Sequence, residues 1–91
     1  MRFAWDETKR RDNLRTHGFD FAGAATVFDS DTYTFEDDRF QYGEQRFVTL
    51  GILDGVPVTI VHTEVDHEIR VISFREATAR EAIIYFTSIA D

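Results

Sequence analysis

The chain has 91 residues, no cysteine and no long apolar run. The absence of cysteine excludes a disulfide scaffold, a thiolate metal site and a cysteine nucleophile, and it fits a reducing compartment. The longest apolar stretches, such as residues 82–86, are too short to span a bilayer, and the N-terminus has no apolar core of a signal peptide. We therefore expect a cytoplasmic protein.

Positive charge is also scarce, since 10 Lys and Arg stand against 17 Asp and Glu and the net charge is −7. The distribution of this charge is uneven. Residues 1–18 have a balance of +2, residues 19–45 of −6 and residues 46–91 of −3. The sum argues against nucleic acid as a partner, but a local basic face remains compatible with this distribution.

Apolar residues are plentiful for a chain of this length, at 43% of the sequence with nine Phe. Each large side chain that becomes buried contributes about 1.5–3 kcal/mol before entropy is subtracted. A chain this short has room for one core, so the sequence predicts a single folded domain over residues 1–91 and argues against disorder.

The N-terminal third predicts an edge strand and two helices. Residues 2–5 alternate between polar and apolar side chains. Asp6 is a suitable N-cap for a helix that runs to His17 and ends at Gly18, and the strongly apolar residue within it is Leu14. A second helix follows from Asp20 through residue 28. Its predicted core stripe consists of Phe21, Ala24, Ala25 and Phe28.

The middle and the C-terminus predict an antiparallel sheet of four or so strands and one closing helix. The strands are expected at residues 32–35, 46–53, 56–64 and 67–75, with a polar loop at 36–43. Asp54-Gly55 is a favoured hairpin turn, and Pro57 indicates an edge strand or a strand start. Period-two alternation places Ile69, Val71 and Ser73 on one face of the last strand, opposite Arg70, Ile72 and Phe74. The closing helix spans 77–89, with predicted core positions Ala82, Tyr85, Phe86 and Ile89. The fold class is therefore α+β.

The sequence has no Gly-rich phosphate loop, no metal-ligand spacing and no nucleophile elbow, so it predicts neither a cofactor nor a metal. Asp37 and Asp38 could bind a cation, but a solvated loop explains them equally well. What remains is a set of arginines with a histidine, a glutamate and a tyrosine in the sheet and closing helix. This set suits metal-independent RNA cleavage, which needs a base, an acid and cations for the transition state.

An ordered set of residues gives a family resemblance over nearly the whole chain. These residues are Trp5-Asp6-Glu7-x-Lys9, Asn13, His17-Gly18, Phe21-x-x-Ala24-x-x-Val27-Phe28-Asp29, Gly43-Glu44-x-Arg46-Phe47, Gly51, Val61-x-Thr63-Glu64, Ile69-Arg70-Val71-Ile72-Ser73-x-Arg75-x-Ala77, Arg80-Glu81 and Tyr85. Together they resemble the BrnT toxin family. The resemblance implies a RelE-like fold and a ribonuclease toxin of a type II toxin–antitoxin pair. It also implies a BrnA-like ribbon-helix-helix antitoxin as partner, RNA as substrate, and contact with operator DNA through the antitoxin alone.

The resemblance implies catalytic roles for five residues. Arg46 and Arg75 would hold phosphate, although surface ion pairs explain such strand-end arginines as well. His62 would be the general acid or base, and its alternative is a packed structural histidine. Glu64 would act as base or orient an arginine, or it is an ordinary exposed strand-end residue. Tyr85 would stack on a base, or it belongs to the core with its hydroxyl at the rim.

Four further cations are candidates for RNA binding. Lys9, Arg11 and Arg15 lie on the first helix and could follow RNA phosphates, although a solvated or antitoxin-facing helix explains them too. Arg80 lies at the start of the closing helix, where a solvent-facing charge is the alternative.

Two other functions stay open. The first is a catalytically weak module that serves as partner and corepressor of the DNA-binding antitoxin. It is favoured by the −7 charge and by Val65, which stands where many BrnT relatives have an arginine. The chain also departs from the family pattern at Ala79, Ala82 and Ile83, which dilute a run of basic residues that many relatives carry in the closing helix. The second is a small ligand-binding or enzyme subunit, which predicts a sizeable apolar pocket in a chain with little room for one.

Overall fold

The computed structural model describes residues 1–39, 41 and 43–90, and these residues form five strands and three helices. The elements in chain order are β1 (Arg2–Ala4), α1 (Glu7–His17), a 3₁₀ turn (Phe21–Gly23), α2 (Ala24–Phe28), β2 (Tyr33–Glu36), β3 (Phe47–Leu53), β4 (Val56–Val65), β5 (Glu68–Glu76) and α3 (Ala79–Ile89). The predicted α+β class is confirmed. Residues 40 and 42 of the predicted loop over 36–43 lie outside the described part.

The described residues form one sheet with the strand order β1-β5-β4-β3-β2. Strands β2 to β5 are antiparallel neighbours, as predicted, but β1 pairs in parallel with β5, with Arg2 opposite Glu68. The sheet is therefore mixed and has five strands rather than about four. A three-residue strand has too little pattern of its own to reveal its partner, so local sequence does not predict this pairing.

Two hairpin turns set the register of the central strands. Asp54 and Gly55 both have positive φ, at 50° and 81°, which confirms the predicted tight turn between β3 and β4. The next turn uses Asp66 and His67, with φ of 52° and 63°, so β4 extends one residue further than predicted. Pro57 is the second residue of β4, which lies inside the sheet rather than at its edge.

The two faces of the sheet are covered by different helices. On one, the α1–α2 face, buried residues from the 3₁₀ turn, α2, β4 and β5 form the larger core cluster. Its members are Phe21, Ala24, Val27, Val58, Ile60, Ile69, Val71 and Phe74. On the other, the α3 face, Val48 and Leu50 of β3 pack with Tyr85 of α3.

Helix α1 begins and ends as the sequence predicts, but it is held by a polar residue. The Asp6 carboxylate accepts a hydrogen bond from the Lys9 amide, and Gly18 has the left-handed φ of 79°. Leu14 is 40% exposed, whereas Asn13 is buried. The Asn13 side chain donates to the carbonyl oxygens of Phe74 and Phe19 and accepts from the Phe74 amide. The buried stripe of α1 therefore depends on hydrogen bonds to β5.

The second helix buries a different residue from the one predicted. Phe21, Ala24 and Val27 are fully buried, while Ala25 is exposed and Phe28 is half-buried. The 3₁₀ turn at its start has three residues per turn instead of 3.6 and shifts the buried stripe. Val27 then lies directly over Gly51, where an added Cβ would come within 2.6 Å of Val27 Cγ1.

An irregularity in the β4–β5 pairing changes which side chains of β5 share a face. The register shifts between Val61, opposite Ser73, and His62, opposite Val71. Ile72 is therefore an extra residue, and Phe74 joins Ile69 and Val71 in the larger cluster instead of lying opposite them. A bulge breaks period-two alternation, which is why the predicted faces of β5 fail after Val71.

Helix α3 begins two residues later than predicted. Thr78 is its N-cap and forms a capping box with Glu81. Tyr85 is buried and Ala82 is half-buried, but Phe86 and Ile89, predicted as core, are 51% and 36% exposed. None of the helices in the described part of the chain has the length and apolar character needed to cross a membrane.

Candidate active site

A cleft of about 570 Å³ opens on the α3 face, between the start of α3, the sheet and the segment that follows β2. Its floor is apolar and its walls are charged. The floor consists of Phe35, Val48, Val61 and Ile84, and the polar wall residues are Glu36, Asp37, Asp38, Arg39, Arg75, Thr78, Arg80 and Glu81. The cleft is large enough for a small molecule or a nucleotide.

The strand register explains why distant parts of the sequence meet in this cleft. Phe35 of β2 is opposite Val48 of β3, and Val48 is opposite Val61 of β4, so the three side chains point to the same face. Arg75 is the second-last residue of β5, and the chain then turns at once into α3. This short connection brings the first turn of α3 over the end of β5.

Arg75 and Glu81 form a bidentate ion pair on one wall. The Nη1 and Nη2 atoms of Arg75 donate to Oε1 and Oε2 of Glu81 at 2.7 and 3.0 Å. Glu81 Oε1 also accepts from the Thr59 hydroxyl and the Thr78 amide. Burial alone would raise the pKa of Glu81, but these hydrogen bonds and the charge of Arg75 lower it to about 2. Glu81 therefore stays ionised at neutral pH and holds the guanidinium in place.

A second arginine–carboxylate pair forms the opposite wall. Arg39 donates from Nε and Nη2 to the two carboxylate oxygens of Asp37 at 2.8 and 3.1 Å. The Asp37 side chain is 3% exposed and that of Arg39 71% exposed. The hydrogen bond to Glu81 raises the pKa of Arg75. Arg39 and Arg75 both line the cleft. Two cations thus converge on one space.

The structure places Arg75 and Arg80, two of the sequence candidates, in this cleft. Arg46 lies beside it. Its carbonyl oxygen accepts from the Asp37 amide at 2.8 Å, and its guanidinium is 3.5 Å from the Glu44 carboxylate. Arg46 is thus at the same end of the sheet as the Asp37–Arg39 wall.

His62 and Glu64 are not brought together with Arg75. His62 is fully buried on the α1–α2 face, where its ring packs against Phe28 and Phe47 and Nε2 is 2.7 Å from the Thr49 hydroxyl. Burial lowers the pKa of His62. Glu64 is exposed near the far end of β4. It is five residues, or about 16 Å, beyond the position opposite Arg75.

Tyr85 and the α1 cations also lie outside the cleft. Tyr85 is 3% exposed, and its hydroxyl donates to the Asp31 carbonyl at 2.8 Å. Burial raises its pKa, and the charge of Asp31 acts in the same direction. Lys9, Arg11 and Arg15 are exposed on α1, which covers the opposite face. The structure thus separates these cations from the arginines of the cleft by the thickness of the sheet.

Three cleft residues did not stand out in the sequence as site residues. The sequence offers Asp37 as a cation ligand or a solvated loop residue and Glu81 as part of the family resemblance, and it does not single out Arg39. The spacing Thr78-x-x-Glu81 was an available signal, because a capping box fixes the glutamate at the helix start. The signal for Asp37 and Arg39 was their position directly after a strand. Within residues 1–39, 41 and 43–90, no cluster of three or more His, Asp or Glu side chains is placed to hold a metal ion.

Comparison with curated proteins finds no match. The family model described as the ribonuclease toxin BrnT of type II toxin–antitoxin systems matches residues 5–81. The matched part contains the strands of the sheet from β2 to β5 and ends at Glu81, so it includes both arginine–carboxylate pairs. The chain belongs to the BrnT family of ribonuclease toxins of type II toxin–antitoxin systems.

Proposed function

We propose that this chain is an endoribonuclease that cleaves RNA in the cleft of the α3 face without a metal ion. The observation that carries the proposal is the convergence of Arg39, Arg75 and Arg80 on one cleft in a chain with a net charge of −7. Arginine guanidinium groups bind phosphate through paired hydrogen bonds, so this is the position in the described chain best suited to a phosphodiester.

The reaction needs charge stabilisation more than any other contribution. The ribose 2′-oxygen attacks phosphorus and loses its proton, the bond to the 5′-oxygen of the next nucleotide breaks, and that oxygen takes a proton. Negative charge accumulates on the phosphoryl oxygens in between. Arg75 and Arg39 lie on opposite walls and would stabilise this charge, and Arg80 would hold the neighbouring phosphate.

The geometry favours Glu81 as a positioning residue. With a pKa of about 2 it is a poor proton acceptor at neutral pH, and both of its oxygens bind Arg75. Asp38, an exposed carboxylate on the cleft wall, is the candidate that would accept the 2′-hydroxyl proton. Arg46 remains a candidate phosphate-binding cation at the end of the cleft. We assign no chemical step to His62, Glu64 or Tyr85, because each lies outside the cleft.

The proposed partner is a BrnA-like antitoxin with a ribbon-helix-helix domain, and operator DNA would be contacted through this antitoxin in the cytoplasm. The acidic balance of −6 over residues 19–45 supports this arrangement, because it repels DNA phosphates and attracts a basic protein. Lys9, Arg11 and Arg15 would then belong to a protein-facing or solvated surface, since they lie on the other side of the sheet.

RNA cleavage in the presence of EDTA tests the nuclease. Purified toxin is expected to cleave RNA in EDTA, and Arg75→Ala to reduce kcat by about 10²–10³-fold, as the loss of one transition-state donor does. Arg2→Ala is the matched control. The Arg2 side chain is 75% exposed on β1, at the sheet edge far from the cleft. The Arg2→Ala variant is therefore expected to cleave RNA at the wild-type rate. Intact RNA in EDTA that is cleaved when a divalent ion is restored would contradict metal independence.

A catalytically weak corepressor is the second candidate, and one observation favours it. Arg75 and Arg39 are each bound to a carboxylate, so RNA must compete with Glu81 and Asp37 for them. This candidate predicts that the wild-type protein leaves RNA intact, and that Arg75→Ala changes neither growth nor promoter binding by the antitoxin complex. Growth arrest on induced expression together with RNA cleavage would exclude it.

A further inference from the structure

The floor of the cleft has an aromatic side chain that the charge chemistry does not use. Phe35 is 37% exposed on β2 and lies in the cleft opposite Val48. Tyr33, two residues earlier on the same face of the same strand, is 38% exposed, with its ring 5.9 Å from that of Phe35. Tyr33 lies outside the cleft. Two equally exposed aromatic residues thus differ in whether they line the cleft.

The floor forms an apolar strip across the sheet. Phe35, Val48 and Val61 are on three adjacent strands, which spans about 10 Å, and Ile84 of α3 covers one side. Arg75 and Arg80 lie at the α3 end of this strip, and the segment 37–39 lies at the Phe35 end with two carboxylates and one arginine. A phosphate is therefore drawn towards α3, and the apolar strip is left for an uncharged, flat group.

We propose that the cleft binds one unpaired base of single-stranded RNA, with the base stacked on Phe35 and its phosphate held by Arg75 and Arg80. This inference rests on the proposed ribonuclease function and adds the strand state of the substrate. Every base has an apolar face suited to an aromatic ring, so stacking is tolerant of sequence. A base in a duplex has both faces covered by its neighbours and does not reach such a ring.

Two other ligands, a free phosphate and an apolar protein segment, would each contact a smaller part of the cleft than a nucleotide does. A free phosphate would use the arginines but leave the strip of Phe35, Val48 and Val61 uncovered. An apolar segment of a protein partner would cover the strip but would bring no anion to Arg75 and Arg80. A nucleotide covers both the strip and the cations, because one end of it is a flat ring and the other is an anion.

Binding of an uncleavable RNA tests the inference separately from catalysis. The probe is a single-stranded oligonucleotide with 2′-O-methyl groups throughout, which lacks the attacking hydroxyl, and its duplex form is the comparison. Fluorescence anisotropy at low salt is expected to show that Phe35→Ala weakens binding of the single strand by about 5- to 150-fold, the range for loss of one base–aromatic stack. Phe35→Trp is expected to bind within about twofold of wild type, because it keeps a stacking surface.

Tyr33→Ala is the matched control, since it removes an equally exposed ring from the same strand. It is expected to change the affinity by less than about twofold, and denaturant unfolding of each variant verifies that it is folded. Equal affinity of Phe35→Ala and wild type would overturn the inference, as would equal losses in both Ala variants or a duplex that binds as tightly as the single strand. So would a Phe35→Ala variant that binds RNA normally but loses the antitoxin.

Cleavage assays separate failure of this inference from failure of the proposed function. If wild-type toxin cleaves RNA and Phe35→Ala does so with unchanged KM, the base site is wrong and the nuclease remains. If wild-type toxin neither binds the methylated strand nor cleaves unmodified RNA, both proposals fail.

Discussion

The two faces of the sheet differ in how completely they are covered. On the α1–α2 face, two helices and a 3₁₀ turn bury a continuous cluster that includes Phe21 and Phe74, and even the polar His62 and Asn13 are enclosed. On the α3 face, α3 covers a smaller cluster around Leu50 and Tyr85, and within the described residues a cleft opens beside it.

Within this small sheet, the α1–α2 face mainly stabilises the fold, and the α3 face has the charged groups suited to chemistry. On the α1–α2 face, Asn13 binds the backbone of β5. Charged groups on the α3 face are paired but accessible, as Arg75 and Glu81 are, with side chains 32% and 19% exposed. A substrate can therefore reach the ionised groups of the α3 face, whereas the one buried histidine is out of its reach.

The largest expected loss of stability comes from a substitution in the core of the α1–α2 face. Phe74→Ala removes a fully buried ring and is expected to lower the free energy of unfolding by about 3–5 kcal/mol. Phe86→Ala is the matched control on the other face, where the ring is 51% exposed, and about 1 kcal/mol is expected. Denaturant unfolding measures both. Equal losses would show that the two faces contribute equally to stability.

The polar contact of α1 is expected to matter more than its apolar one. Asn13→Ala removes three hydrogen bonds and leaves buried backbone groups of Phe74 without their partner, so we expect a loss of about 2–3 kcal/mol. Leu14→Ala, at a 40% exposed position, is expected to cost less than about 1 kcal/mol. A larger loss in Leu14→Ala would show that α1 is held by apolar packing.

His62 is expected to make stability pH-dependent. Burial lowers the pKa of His62 in the folded protein, so the unfolded chain binds the proton first. The free energy of unfolding should therefore be fully retained above about pH 6.5 and fall below it, by at most about 1.4 kcal/mol per pH unit. His62→Gln is expected to remove this slope and exposed His17→Gln to keep it, in urea titrations between pH 5 and 8. An unchanged slope in His62→Gln would show that another group causes the pH dependence of stability.

The smallest expected effect concerns the helix that carries the cleft. Thr78 accepts a hydrogen bond from the Glu81 amide and caps α3, so Thr78→Ala is expected to cost about 1 kcal/mol. Thr87→Ala, at an exposed position of the same helix, is expected to change stability by less than about 0.5 kcal/mol. Thermal unfolding compares the two variants. Similar values would mean that the cap adds nothing to α3.

The sequence was informative where local chemistry decides the structure. Asp6 and Gly18 set the ends of α1, and Asp54-Gly55 set the first hairpin, because caps and turns depend on a few adjacent residues. It was less informative where packing decides. The bulge at Ile72 reverses the faces at the end of β5, and the 3₁₀ turn exchanges Ala25 for Val27. No residue type at these positions predicts either the bulge or the 3₁₀ turn.

The residues of the candidate site also differ in whether the sequence could predict them. Arg75 and Arg80 could be named from the sequence, because arginines near a strand end and a helix start suit phosphate binding. His62 is a reasonable catalytic candidate by residue type, but the alternation of β4 points it to the α1–α2 face, where burial lowers its pKa. Asp37 and Arg39 join the cleft through strand pairing, since the Asp37 amide donates to Arg46 across the sheet.

The sequence by itself determined the α+β class, the order of the elements and membership in the BrnT family, because these depend on local patterns and on ordered motifs. Only the tertiary structure decided which cations meet. Residues 39 and 75 are far apart in the chain, and the pairing of β2 to β5 with the short turn into α3 places them on opposite walls of one cleft. The same pairing puts Lys9, Arg11 and Arg15 behind the sheet, because α1 packs on the opposite face.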